Sequence, residues 1–166
     1  ARTVPEPVAA AADTLWLLYS NTKVIVATAL WRLCEDGVFG FDDRVSDHLP
    51  DFARHGKRDV TILQVITHQG GFPNAAMTRE GWKDRDARRA AVCDFTLEWT
   101  PGSRIEYHGL SAHWVLAALI EHWTGADFRD HVRASVIEPL GLGRDLYMGR
   151  PPEQDAGHHD HGDVLE

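Results

Sequence analysis

Tyr19-Ser20-Asn21-Thr22-Lys23 opens the apolar run Val24 to Leu33, and the reading of this stretch decides the fold. Val24, Ala27, Trp31 and Cys34 recur at helical spacing, with Val26, Leu30 and Leu33 as a second stripe beside them. Together they predict a helix from Ser20 that is apolar almost all round, and therefore a core helix. Charge arrives only at Arg32, Glu35 and Asp36, and Gly37 is a good C-terminal stop. At the start of that helix, unpaired amides and the positive dipole end favour negative charge developing on Ser20. Lys23 lies three positions on, along the same face. A hydroxyl beside an ammonium at a helix start is a candidate activated nucleophile. The plain alternative is an N-cap serine followed by a solvated lysine, since any Ser-x-x-Lys pair matches the spacing.

Upstream, Asp13 to Tyr19 is short, apolar and bounded by polar residues, as a short strand or a buried extended lead-in would be. Ala1 to Ala12 is rich in Pro and Ala, lacks an initiating Met and a signal segment, and reads as the middle of something longer. Downstream, Phe39 to Phe52 mixes aromatics with Gly, Asp and Pro and predicts a surface loop, and Asp51 to Asp59 is charged and expected to be exposed. Thr61 and Gln64 form a capping box, with Val60 and Val65 as its hydrophobic staple. That short helix should end at His68-Gln69-Gly70-Gly71, where paired glycines allow a left-handed exit.

Asp84 to Cys93 predicts a charged surface helix, and Thr100-Pro101-Gly102-Ser103 a turn. A helix from Leu110 to Trp123 places Leu116, Leu119, Ile120 and Trp123 on one face and closes at Gly125. A last helix from about Asp127 buries Phe128, Val132 and Val136 until Pro139 ends it. Strand signals are few and repeats absent, so the chain reads as mainly helical.

A formal charge of -8 argues against a nucleic-acid or anionic-membrane surface. No apolar run approaches the ~20 residues that span a bilayer. The two cysteines, Cys34 and Cys93, read as small buried side chains rather than a disulfide framework; the compartment stays open, with the cytoplasm slightly favoured. His158, His159 and His161 invite a metal reading, but no His-Glu-x-x-His is present and a polar tail is the better reading. Gly109-Leu110-Ser111-Ala112-His113 lacks the final glycine of a nucleophile elbow, which excludes an α/β-hydrolase.

Several stretches then point one way in order: Ser20-x-x-Lys23, Gly-Val-Phe-Gly-Phe-Asp-Asp (37–43), His-Leu-Pro (48–50), Ile-Thr-His-Gln-Gly-Gly-Phe-Pro (66–73), Pro-Gly-Ser-Arg-Ile-Glu-Tyr (101–107) and Ile-Glu-Pro-Leu-Gly-Leu (137–142). In this order they resemble the class C β-lactamase-like serine hydrolases, which include β-lactamases, D-alanyl-D-alanine peptidases and family VIII-type carboxylesterases. The resemblance runs from about Asp13 to Met148. It implies that Ser20 is the nucleophile, Lys23 the lysine of the same motif, and Tyr107 a tyrosine that works with the lysine as general base. A phenol ordinarily titrates near ~10, and a nearby ammonium favours its ionised form. Lys23 could thus deprotonate Ser20 directly or hold Tyr107 ionised. The Ser20 amide would supply half of an oxyanion hole. A core tyrosine and a turn-shaping His68 are the plain readings of Tyr107 and His68, and His108 reads equally as pocket lining or a loop histidine.

Two departures qualify the resemblance. The family's lactamases and peptidases carry Asn two positions after the tyrosine, where Tyr107-His108-Gly109 offers glycine, which leans towards the esterase branch. The family's C-terminal third motif and the first strands of its central sheet have no match. The chain therefore reads as residues 1–12, a leading segment; 13–150, the catalytic helix plus helical domain of a β-lactamase-like α+β fold with most of the sheet missing; and 151–166, a polar His-rich tail. The implied activity is a serine hydrolase forming an acyl-enzyme on small esters, with neither metal nor cofactor, and this piece alone is expected to be inactive. The alternatives are a β-lactamase or D-alanyl-D-alanine peptidase, acting on a β-lactam or peptide, and a non-catalytic helical binding module.

Overall fold

The computed structural model describes residues 9–12, 14 and 16–149. Among them six α-helices form: α1 (Thr22–Glu35), α2 (Val45–His48), α3 (Ile62–Ile66), α4 (Arg85–Asp94), α5 (Ser111–Thr124) and α6 (Phe128–Val132). Two 3-10 segments, Tyr19–Asn21 and Pro50–Gly56, and a π-helical turn, Arg133–Ile137, complete the helical content. The one strand-like pairing among the described residues is an antiparallel bridge between Arg44 and Thr61. The chain is mainly helical, as its few strand signals predict, and the sheet of the full fold is not represented.

Helix α5 is the mast. From Ser111 to Glu121 every residue but His113 is buried, so other elements cover it on all sides. Leu116, Leu119 and Ile120 are fully buried, Trp123 is half-buried, and Gly125 closes the helix with a left-handed φ of 71°. Each buried leucine or isoleucine contributes about 1.5–3 kcal/mol relative to exposure.

Helix α1 corrects the expectation of an all-round core helix. Val26, Ala29, Leu30 and Leu33 are buried, but Val24 and Trp31 are 70% and 55% exposed. One face packs on the α5 and α6 side of the core; on the other, Trp31 is covered only in part, by the Phe41 ring at 4.6 Å between centroids. The lead-in is likewise neither strand nor buried: Trp16 to Tyr19 are exposed, while Asp13 and Leu15 lie outside the described residues. The His-rich tail and residues 1–8 also lie outside them.

The two stretches expected to be exposed loop are anchored instead. Phe39, Val45, Leu49 and Phe52 are buried, and α2 forms between them. Phe39 stacks flat on Trp123 at 4.6 Å between ring centroids. Lys57 is fully buried; its Nζ donates to the carbonyls of Arg54 at 3.0 Å, Cys93 at 2.9 Å and Phe95. Cys93 lies in the last turn of α4, whose carbonyls lack intrahelical donors, so the ammonium serves as a side-chain cap. Spacing within the segment cannot reveal this, because two of the acceptors arrive from a distant helix.

The capping box on α3 forms as predicted: Gln64 N donates to Thr61 Oγ1 at 3.2 Å, and Thr61 N donates to Gln64 Oε1 at 3.1 Å. Val60 and Val65 are both fully buried. Helix α4 departs from the surface reading along one face, where Arg88, Val92 and Cys93 are buried. Arg88 is fully buried, its guanidinium paired to Glu121 of α5 through Nη2–Oε1 at 2.9 Å and Nε–Oε2 at 3.1 Å. It also faces the rings of Trp114 and Phe128. Cys34 and Cys93 are free thiols.

Candidate active site

Ser20 stands in the 3-10 turn that feeds α1, immediately after Tyr19, which holds a left-handed φ of 46°. Such a backbone is disfavoured for a non-glycine residue and persists only where its surroundings impose it. Lys23, one turn further on, donates from Nζ to Ser20 Oγ at 3.4 Å, the meeting that helical pitch predicts. Asn21 occupies the N-cap position of α1, so the plain reading of Ser20 as a helix cap does not hold.

Tyr107 reaches the pair from the far side of the chain. Its segment lies along residues 68–71 through backbone bonds: Glu98 N to Gly71 O at 2.7 Å, Gly102 N to Gln69 O at 2.9 Å and Glu106 N to His68 O at 3.1 Å. Gly71 permits this approach. Its φ is 90°, and a Cβ there would stand 2.5 Å from the Trp99 carbonyl oxygen. Tyr107 is 55% exposed, so it is no core tyrosine. Its Oη lies 2.6 Å from Ser20 Oγ, and Lys23 Nζ lies 5.1 Å from its ring centroid. The hydrogen bond to Ser20, and then the one to Lys23, draw the phenol below its ordinary pKa of 10.0.

One histidine, His68, packs on this trio, and two more, His108 and His113, lie behind it. His68 packs its ring at 4.9 Å from that of Tyr107. Its Nδ1 accepts from the His108 amide at 3.2 Å, so the proton of the neutral ring belongs on Nε2. His108 lies in irregular backbone, as the loop reading has it, and is fully buried. Its Nε2 accepts from the Phe72 amide at 3.2 Å, and its Nδ1 donates to the Glu106 carbonyl at 2.6 Å. Burial depresses both rings below the ordinary histidine range. His113, near the start of α5, is pushed down to about 3 by burial and by the charge of Lys23. These neutral rings add no positive charge beside Lys23.

Sequence reading places Ser20, Lys23 and Tyr107 as one set, and the structure brings all three within contact. It misses how closely His68 approaches the set. The usable signal for His68 was its position directly behind a well-capped helix and ahead of two glycines. Among the described residues no cluster of His, Cys, Asp or Glu side chains could hold a metal ion, and no helix is long and apolar enough to cross a membrane.

A sequence model of the Beta-lactamase family matches residues 2–164. The chain is 30% identical to the protein named Esterase/beta-lactamase LipL of Mycobacterium tuberculosis, over 85% of this chain and 33% of that relative. Among solved structures, a family VIII carboxylesterase superposes with a TM-score of 0.74 at 30% identity, covering 83% of this chain and 38% of that one. A penicillin-binding protein homologue from Caulobacter crescentus gives 0.72 at 30% identity, covering 84% and 38%. The chain thus spans about a third of the length of the relatives it matches. With its helices superposing on both branches and its sequence matched almost end to end, this chain belongs to the beta-lactamase family, a family of serine hydrolases.

Proposed function

We propose that the protein carrying this chain is a carboxylesterase that cleaves small esters through an acyl-enzyme on Ser20. The observation that supports the reading is the Ser20 hydroxyl, in hydrogen-bond contact with both the Tyr107 phenol and the Lys23 ammonium. Tyr107 in its ionised form takes the Ser20 proton as Oγ bonds to the ester carbonyl carbon. Lys23 stabilises that phenolate by charge. The carbonyl oxygen becomes an oxyanion facing the Ser20 amide, with a second donor assigned to the additional length that the relatives possess. Collapse expels the alkoxide, which takes the proton from Tyr107 and leaves as the alcohol. Water then attacks the acyl carbonyl, giving one proton to Tyr107; the acid leaves, and Ser20 Oγ recovers its proton.

Gly109 supports an ester over an amide substrate. A resembling lactamase or peptidase would present Asn at this position to hold the substrate amide. The named relatives include both an esterase/beta-lactamase and a penicillin-binding protein homologue, so a β-lactam or peptide substrate is the second reading. Fluorophosphonate labelling of the full protein tests the nucleophile. Labelling is expected in the wild type and lost in Ser20→Ala; labelling that persists in the alanine variant overturns the assignment. Turnover of a chromogenic cephalosporin in preference to p-nitrophenyl esters would select the second reading.

A further inference from the structure

The residue that sets Tyr107 over Ser20 is not among the three that the motif names. Tyr107 is too exposed to be fixed by packing, so its place depends on the residues on either side of it. Both are held by one residue. The amide of Glu106, just before Tyr107, donates to the His68 carbonyl at 3.1 Å, and the amide of His108, just after it, donates to His68 Nδ1 at 3.2 Å. Its imidazole then lies against the Tyr107 ring, 4.9 Å between centroids and tilted by 53°.

One residue can serve both amides because of its backbone. His68 follows α3 with a left-handed φ of 62°, which departs from the helix path so that its carbonyl and its side chain both meet the 106–108 segment. A non-glycine residue accepts this conformation at a cost that surrounding contacts must offset. The segment beyond is braced in turn by His108, whose ring ties the Phe72 amide to the Glu106 carbonyl.

We propose that His68 is the positioning residue for Tyr107, clamping both flanking amides so that the phenol oxygen stands against the Ser20 hydroxyl. The proposal rests on the reading of Tyr107 as the base. His68 itself is not that base. Its Nδ1 lone pair is taken by the His108 amide, and a proton there would set two donors against each other.

Two substitutions separate the clamp from the fold. His68→Gly suits the left-handed backbone and keeps the carbonyl, but removes the acceptor for His108. His68→Asn also tolerates that backbone and offers Oδ1 in the place of Nδ1. In the full protein, with an ester substrate, H68G is expected to lower kcat by at least ~10-fold with KM changed by less than ~2-fold, because misplacing a reacting group costs rate rather than affinity. H68N is expected to keep kcat within ~3-fold of the wild type on the same grounds of retained geometry. An H68G enzyme with wild-type kcat overturns the proposal. So does equal impairment of H68G and H68N at unchanged melting temperature, which would assign the imidazole some other work. Fluorophosphonate labelling that persists in Ser20→Ala would instead overturn the hydrolase reading, and is scored separately.

Discussion

The hydroxyls of Ser20 and Tyr107 stand 2.6 Å apart across 87 residues of chain. A hydrogen bond this short between two hydroxyls favours transfer of the serine proton to the phenol oxygen once that oxygen is ionised. Tyr107→Phe is expected to lower ester kcat by about 10²–10⁴-fold, the usual yield of a positioned general base. The sign with pH follows from the phenol. With Tyr107 as the proposed base only its ionised form is active, so kcat/KM should rise with pH through a pKa held below 10.0 by Ser20 and Lys23. Lys23→Gln removes the cation and should move that limb to higher pH. A limb that stays in place in K23Q would show that Lys23 does not hold the phenolate.

Gly109 offers room to test substrate choice. A Cβ built there meets nothing within 4 Å, and its φ is not in the left-handed range. Gly109→Asn should therefore fold with an unchanged melting temperature while raising cephalosporin acylation relative to ester turnover. The ratio of the two rates in one preparation is the measurement. An unchanged ratio removes Gly109 from the grounds for an ester substrate.

Lys57 should govern part of the alkaline stability. Lys57→Met leaves the Arg54, Cys93 and Phe95 carbonyls without their donor and is expected to destabilise by at least ~2 kcal/mol in urea unfolding. Burial holds the ammonium down to about 8, against an ordinary 10.5. The folded chain thus sheds this proton first, and between those values the unfolded chain binds more. Stability contributed by the group rises with pH across that window. The free-energy gap between wild type and K57M should widen between roughly pH 8 and pH 10.

The Arg88–Glu121 pair is buried on both sides, so removing one partner strands the other. Glu121→Leu or Arg88→Met alone should cost about 3–5 kcal/mol in urea midpoint analysis. The double variant R88M/E121L, which removes both charges, should recover much of that loss. Additive losses in the double variant would mean that the two side chains act independently.

Local signals were legible in the sequence because their physics is local. The capping box at Thr61 and Gln64, the stop at Gly125 and the meeting of Ser20 with Lys23 each need only a few neighbouring residues. Lys57 and Arg88 were misread for the opposite reason. Charge predicts exposure until a partner is known, and their partners lie on other elements. Helix α1 was read as buried all round because apolar composition says nothing of which cover is present. At the site, Tyr107 was found through an ordered resemblance rather than through spacing. The His68 clamp was invisible, since it depends on a left-handed backbone and on two amides about forty residues away.

Glu121 carries a consequence for how the molecule opens. Helix α6 and the π-helical turn that continues it run from Phe128 to Ile137, still short for an isolated helix to persist in water. Its first amide, that of Phe128, donates to Glu121 Oε1 at 3.3 Å, the same oxygen that receives Arg88 Nη2. Fraying of α6 from its start therefore disturbs the carboxylate that locks α4 to α5. Amide hydrogens of α6 should exchange with deuterium on the timescale of α4 and α5 rather than that of a short surface turn. A short helix would then borrow its lifetime from a neighbour, and three helices would keep one clock.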